Sequence, residues 1–268
     1  MDCRLIATDL DGTLNNDEKR ITPRTLEALM AAQERGIRVA LASARPSPGL
    51  YKERDILGLR EHGGILMSYN SGRIVDAATG KVLFETAMDI AQSKRCLRFL
   101  EELPVTPILD DGARFYVTDP EGYKVSYECR NNRMKCVQVD NLADFLSFAP
   151  IKILMSVLPE RLLAVQKQIA EKLPADLTVL QTADFYLEII PRRISKGQGL
   201  REICALLDIP IAQTVAFGDA VNDISMLRAA GVGVAMGNAS EEVKQAADMI
   251  TLSNNHDGIA VALEKLLT

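Results

Sequence analysis

Two carboxylates, Asp9 and Asp11, sit two residues apart in the run Asp9-Leu10-Asp11-Gly12-Thr13-Leu14, directly after a short apolar stretch. If that stretch is a strand, this spacing at its end puts both side chains on one side. Carboxylates so close repel one another and call for a cation. Asp219 and Asp223, in Gly218-Asp219-Ala220-Val221-Asn222-Asp223, supply two more. An all-oxygen set without His or Cys fits a hard ion, and few protein ligands plus a substrate phosphate suit magnesium. Gly12 has no side chain to obstruct a phosphate, so nearby backbone N–H groups could cradle one.

Taken singly, each of these features has an ordinary explanation. Asp-x-Asp-Gly is a solvated turn in most contexts, Ser43 a turn cap, Lys196 a surface lysine, and Arg45 half of a surface salt bridge. Their placement changes that. In an open parallel sheet, ligands bind beyond the carboxyl ends of the strands. Four polar clusters fall at such ends: Asp9/Asp11, Ser43-Ala44-Arg45, Asn70-Ser71-Gly72, and Gly218-Asp219 with Asn222-Asp223. Lys196 opens a helix that can reach the same crevice.

The elements that must position these groups follow from pattern. Arg4 to Leu10 reads as a buried strand. Thr22-Pro23 opens a helix, with Thr22 as N-cap and Pro23 at the first helical position. Leu26, Leu29 and Met30 form its apolar face, and Gly36 closes it in a left-handed cap. Ile37 to Ala42 and Ile65 to Tyr69 are strands, with a helix within Pro48 to Leu57. Alternation of this kind predicts a parallel sheet covered on both faces.

The pattern changes after about Asp76. A helix over 89–102, strands over 104–111 and 114–119 around the Asp111-Gly112 turn, a strand over 152–158, a helix over 159–173, and strands over 177–181 and 186–190 suggest an inserted α+β module. Alternation then resumes with helix 196–207, strand 214–217, helix 222–230, strand 232–236, helix 240–247, strand 249–252 and helix 257–267. Asn238 and Glu241 have the spacing of a capping box.

Composition bounds the function. The chain has 268 residues, 47% hydrophobic and 25% charged, with a net charge of -5. That balance disfavours a nucleic-acid binder, which needs a basic face. No run approaches the roughly 20 apolar residues of a membrane helix. Arg4, Asp9 and Asp11 break up the N-terminal apolar stretch before a signal sequence could form, so a cytoplasmic location is expected. Five scattered cysteines without a C-x-x-C pair are expected to be free thiols. There is no G-x-x-x-x-G-K-[ST] loop, no Cys followed six positions later by Arg, and only two histidines. Nucleotide-binding loops of that type, cysteine phosphatases and most histidine-based metal sites are therefore disfavoured.

With these residues in place, the chain resembles the haloacid dehalogenase-like superfamily, and within it the Cof-type sugar-phosphate phosphatases. Asp9-Leu-Asp11-Gly-Thr-Leu matches the first motif, Ser43 the second, Lys196 in Ser195-Lys196-Gly197 the third, and Gly218-Asp219-Ala-Val-Asn222-Asp223 the fourth. The match spans nearly the whole chain. It implies an α/β fold: a Rossmannoid core of residues 1–82 and 188–268, with a cap domain inserted over 83–187 that closes over the crevice. It implies that Asp9 attacks phosphorus to form an aspartyl-phosphate and that Asp11 is the acid, then the base. Asp9, the Asp11 carbonyl, Asp219 and Asp223 would hold Mg2+. Gly12, Ser43, Ala44, Lys196 and Asn222 would hold the phosphoryl group. The substrate would be a small phosphorylated metabolite, and the protein a monomer or weak homo-oligomer. Two positions depart from the family pattern: Ala44 and Ser71 stand where Gly is common. A phosphomutase or phosphotransferase on this scaffold, or a phosphometabolite-binding protein without turnover, are the alternative readings. Within the module, Arg130, Arg133 and Lys135 form a basic cluster, and Asp110, Asp111 and Arg114 flank a turn.

Overall fold

In a computed structural model describing residues 2–267, the chain divides into two compact units, one up to Glu85 and from Ser195 onward, the other Thr86–Ile194. The first unit opens with β1 (Leu5–Asp9), α1 (Pro23–Glu34), β2 (Arg38–Ala42), α2 (Tyr51–Ile56) and β3 (Ile65–Ser68), followed by the hairpin β4 (Arg73–Asp76) and β5 (Val82–Glu85). The second unit holds α3 (Ile90–Leu100), β6 (Thr106–Asp110), β7 (Arg114–Val117), α4 (Val125–Asn132), β8 (Lys135–Gln138) and α5 (Leu142–Phe145). It continues through β9 (Ile153–Ser156), α6 (Leu162–Lys172), β10 (Leu177–Ala183) and β11 (Tyr186–Pro191). The chain then returns to the first unit with α7 (Lys196–Leu207), β12 (Thr214–Gly218), α8 (Ile224–Ala229), β13 (Val232–Ala235), α9 (Glu241–Gln245), β14 (Met249–Ile250) and α10 (Gly258–Leu266).

The first sheet has the order β14-β13-β12-β1-β2-β3-β4-β5. It is parallel from β14 to β3, and only β4 and β5 run against their neighbours. The strand order reverses between β1 and β12, because the chain winds outward to β3 from one and to β14 from the other. Ligands bind at such a switch point, and Asp9 and Gly218 end the two strands that flank it. β1 is buried along its whole length, as a strand covered on both faces must be. Ile6, Val39, Leu41, Val215 and Phe217 point into one apolar layer with Leu29 of α1 and Leu263 of α10. Ala7, Ala40, Ala42, Ala216 and Ala235 point into the other, against Leu200 and Ile203 of α7 and Met226 of α8. These small strand residues allow α7 and α8 to lie close to the sheet. The two helices also lie close to each other: a Cβ on Gly197 would stand 2.2 Å from the Ser225 carbonyl oxygen. That approach brings the start of α7 against the loop after β12.

The second unit has a sheet of order β10-β11-β9-β6-β7-β8 with its own apolar core. The unit boundaries lie at Glu85 and Ser195, where pattern suggested 83 and 187. Strand pairing is the reason. β5 stays with β4, and all of β11 stays with β9 and β10. Of the local expectations, the Thr22 cap holds in position and the Asn238 capping box does not. Thr22 is the N-cap of α1 and Pro23 follows it, but the Thr22 side chain makes no capping bond. Asn238 caps no helix: Ser240 precedes α9, and Asn238 bonds elsewhere. The basic cluster is taken up by structure that the pattern missed, with Arg130 in α4, Arg133 in its left-handed C-cap and Lys135 in β8. Asp110 and Asp111 serve their own turn, accepting from the N–H groups of Gly112, Ala113 and Arg114. All five cysteines are free. Among the described residues, no helix is long and apolar enough to cross a membrane.

Candidate active site

Beyond Asp9 the chain turns back sharply, with Leu14 N–H donating to the Asp9 carbonyl and Asn15 N–H to that of Leu10. Gly12 makes this turn possible. Its φ is +85°, and a Cβ there would stand 2.4 Å from Asp219 Oδ2. The turn is tied to the loop after β12: Thr13 Oγ1 donates to Asp219 Oδ1 at 2.7 Å, and Asn238 Nδ2 donates to the Gly12 carbonyl at 2.8 Å.

Lys196, the first residue of α7, is buried between two carboxylates. Its Nζ is 2.6 Å from Asp9 Oδ1 and 2.5 Å from Asp223 Oδ1. Ser195 caps the helix by accepting from Gln198 N–H. The Ser195 carbonyl is itself held by the Ser71 hydroxyl at 2.8 Å. Asp223 has a further task. Its Oδ2 accepts from the Asp219 and Ala220 N–H groups, each at 3.0 Å, which folds the β12 loop around it.

Asp9, Asp219 and Asp223 each offer a carboxylate oxygen, and these atoms lie within 4.8 Å of one another. Burial pushes the Asp9 carboxyl well above its usual range; Lys196 opposes this, and Asp223 and Asp219 add to it. Burial also lifts Asp219 to about 6. Burial disfavours the charged Lys196, but Asp223 and Asp9 outweigh it and raise its affinity for a proton. Carboxylates gathered at this cost, with one cation among them, suit a hard divalent ion bound through oxygen. Asp223 already accepts three hydrogen bonds, so Asp9 and Asp219 are the less committed donors of the set.

The Asp11 carboxylate stands outside this cluster. Arg45 grips it at 2.8 and 2.7 Å, and Lys19 Nζ reaches it at 2.8 Å. Burial pushes its pKa up, but Arg45 and then Lys19 override that and hold it below the usual carboxylate range. The sequence run put Asp9 and Asp11 side by side; the turn after β1 parts their roles.

Ser43 follows β2, whose last residue Ala42 pairs with Asp9. It is buried, and its Oγ accepts from Arg45 N–H at 3.2 Å. Ala44 is not among the residues with positive φ, so alanine fits there without strain. Ser71 does have positive φ, +90°, where glycine would be relaxed. Its bond to the Ser195 carbonyl offsets part of that cost. Asn222 donates to Asn70 Oδ1 at 3.0 Å. Sequence reasoning passed over Thr13, Lys19, Arg45, Asn70 and Asn238 as site residues. Thr13, Arg45 and Asn70 lie within runs already singled out, but Lys19 and Asn238 carry no site signal apart from the fold.

A family model of the haloacid dehalogenase-like hydrolases matches residues 6–263. Phosphatase YwpJ of Bacillus subtilis is 31% identical, over 98% of this chain and 100% of its own. A haloacid dehalogenase-like hydrolase from Bacteroides thetaiotaomicron superposes with a TM-score of 0.90 at 32% identity, covering 98% of this chain and 99% of that one. The haloacid dehalogenase subclass IIB sugar phosphatase BT4131 does so with a TM-score of 0.81 at 26% identity, covering 98% of both chains. On the motif residues gathered at the β1/β12 switch point and a family match over nearly its whole length, the chain belongs to the haloacid dehalogenase-like hydrolases.

Proposed function

We propose that the chain is a magnesium-dependent phosphatase acting on small phosphorylated metabolites, sugar phosphates foremost, through an aspartyl-phosphate on Asp9. The observation that carries this reading is Lys196, buried with its ammonium on both Asp9 and Asp223. It holds Asp9 Oδ1 and opposes the burial that favours the protonated carboxyl, so Oδ2 is the oxygen that attacks. The likeness to a sugar phosphatase supports the substrate class.

Asp9 and Asp219 would hold the ion together with the Asp11 backbone carbonyl, with Asp223 close by. Bound there, magnesium would neutralise charge on the transferring phosphoryl group. Asp9 Oδ2 forms the new bond to phosphorus as the bond to the alcohol oxygen breaks, and Asp11 gives that oxygen a proton. Asp11 then takes a proton from water as the water oxygen attacks phosphorus, releasing inorganic phosphate and restoring Asp9. Gly12, Ser43, Ala44 and Asn222 would line the phosphoryl group. Because Arg45 and Lys19 hold Asp11 ionised, it must take up its proton as substrate binds.

The test is a screen of phosphorylated metabolites with and without magnesium, with Asp9→Asn as control. Magnesium-dependent release of phosphate that Asp9→Asn abolishes is the expected result. Unchanged activity in that variant would sink the covalent step, and faster transfer to a second sugar alcohol than to water would make the protein a phosphotransferase.

A further inference from the structure

The turn Tyr69–Ser71 holds three consecutive non-glycine residues at positive φ: +55°, +55° and +90°. Each is costly for an L residue, and such strain persists only where the surroundings enforce it. Here the site enforces it. Tyr69 N–H donates to the Arg45 carbonyl and Asn70 N–H to the Ser43 carbonyl, both at 2.9 Å, and the Ser71 hydroxyl holds the residue before Lys196.

The Asn70 side chain is the unexplained part. It is 3% exposed, and its Oδ1 accepts from Asn222, the neighbour of Asp223. Its Nδ2 has no hydrogen-bond partner and is the one buried amide nitrogen left so among the described residues. Buried donors are almost always paired, because leaving one unpaired forfeits the bond it made with water. A carboxamide placed between the strand end at Ser43 and the loop at Asn222, with a donor to spare, matches an acceptor that arrives with the ligand. Phosphoryl oxygens are the acceptors this site is built to receive.

We propose that Asn70 is a phosphate-binding residue, its Nδ2 donating to an oxygen of the bound phosphoryl group. This rests on the phosphatase reading above. It assigns the strained turn a purpose: the left-handed backbone at Asn70 brings the side chain inward while its own N–H stays on Ser43.

Two variants isolate the donor. Asn70→Asp keeps the shape, tolerates positive φ and still offers Asn222 an acceptor, while it removes the donor and adds a negative charge. Asn70→Gly keeps the backbone conformation and adds no charge. The probe is inorganic phosphate in magnesium buffer. Its affinity is read both from the phosphate-induced rise in melting temperature and from competitive inhibition of p-nitrophenyl phosphate hydrolysis. The proposal expects phosphate to bind about tenfold more weakly to Asn70→Gly, and more weakly still to Asn70→Asp, with melting temperatures in the absence of phosphate near that of the parent. Phosphate affinity within twofold of the parent in Asn70→Asp overturns it and leaves Asn70 as a support for Asn222. A parent protein that neither hydrolyses the substrate nor binds phosphate overturns the phosphatase reading, and this proposal falls with it. An active parent with unaffected variants overturns this proposal alone.

Discussion

Arg45 holds Asp11 by two parallel bonds, Nε to Oδ2 at 2.8 Å and Nη2 to Oδ1 at 2.7 Å. A bidentate guanidinium favours the ionised carboxylate, and so opposes the protonated form that an acid catalyst needs. Replacing Arg45 by Met removes the largest charge holding the Asp11 pKa down. The alkaline limb of the kcat–pH profile should move up by about one unit. Lys19→Ala should move it the same way by less, since Lys19 is the more exposed of the two cations. An Asp11→Asn variant with full turnover would remove Asp11 from the proton chemistry altogether.

Lys196→Met leaves Asp9 and Asp223 buried without their shared cation. Breaking a buried pair in this way costs about 3–5 kcal/mol, readable by denaturant unfolding. The pH dependence carries a definite sign. Without Lys196 the folded-state pKa of Asp9 rises further above its unfolded value. The folded form then binds more protons, so the deficit should shrink as pH falls from neutral towards the unfolded carboxyl range. A deficit that does not vary with pH would show that the loss comes from packing instead. Hydrolysis should fall by about 10³-fold or more, as expected for loss of a fixed charge at the reacting group.

Asp219, lifted to about 6, ties metal binding to pH. A cation at this carboxylate competes with a proton. Magnesium affinity from titrations between pH 5 and 8 should be flat above about 6 and fall roughly tenfold per unit below it. The same raised pKa makes the metal-free fold gain stability as pH falls through 6, up to the unfolded carboxyl pKa. Asp219→Asn should remove both effects. An affinity that keeps falling at the same slope through pH 7 would point to a different titrating group.

Gly12→Ala tests the turn that follows β1 and packs against Asp219. The substitution meets φ of +85° and a Cβ position 2.4 Å from Asp219 Oδ2. The backbone cost alone is about 1–2 kcal/mol. Because the clash falls on a carboxylate of the cluster, magnesium affinity should drop about tenfold, or more, beyond what the stability loss explains. Normal magnesium affinity in a folded variant would exclude Asp219 as a ligand at its present position.

The alternation of apolar runs with polar strand ends was enough to predict the parallel sheet, because buried parallel strands read as continuous apolar segments and their carboxyl ends are where polar clusters gather. Lys196 could be placed at the start of the helix expected over 196–207. The motif residues also carry the family resemblance, since each lies in a run of neighbours that the chemistry restricts. Other features were set by contacts between segments far apart in sequence. Asp11 faces Arg45 rather than Asp9 because the chain turns back directly after β1. Asn238 looked like a helix cap and instead fastens Gly12, more than two hundred residues away. Thr13 meets Asp219, and the Tyr69–Ser71 turn reaches Arg45, Ser43, Ser195 and Asn222 at once. The sequence by itself determined which groups could do chemistry and at which end of the sheet they would stand. Only the tertiary structure decided which carboxylate shares Lys196, which one is held by Arg45, and which buried donor is left unpaired, because pairing and burial depend on distances that local pattern does not encode.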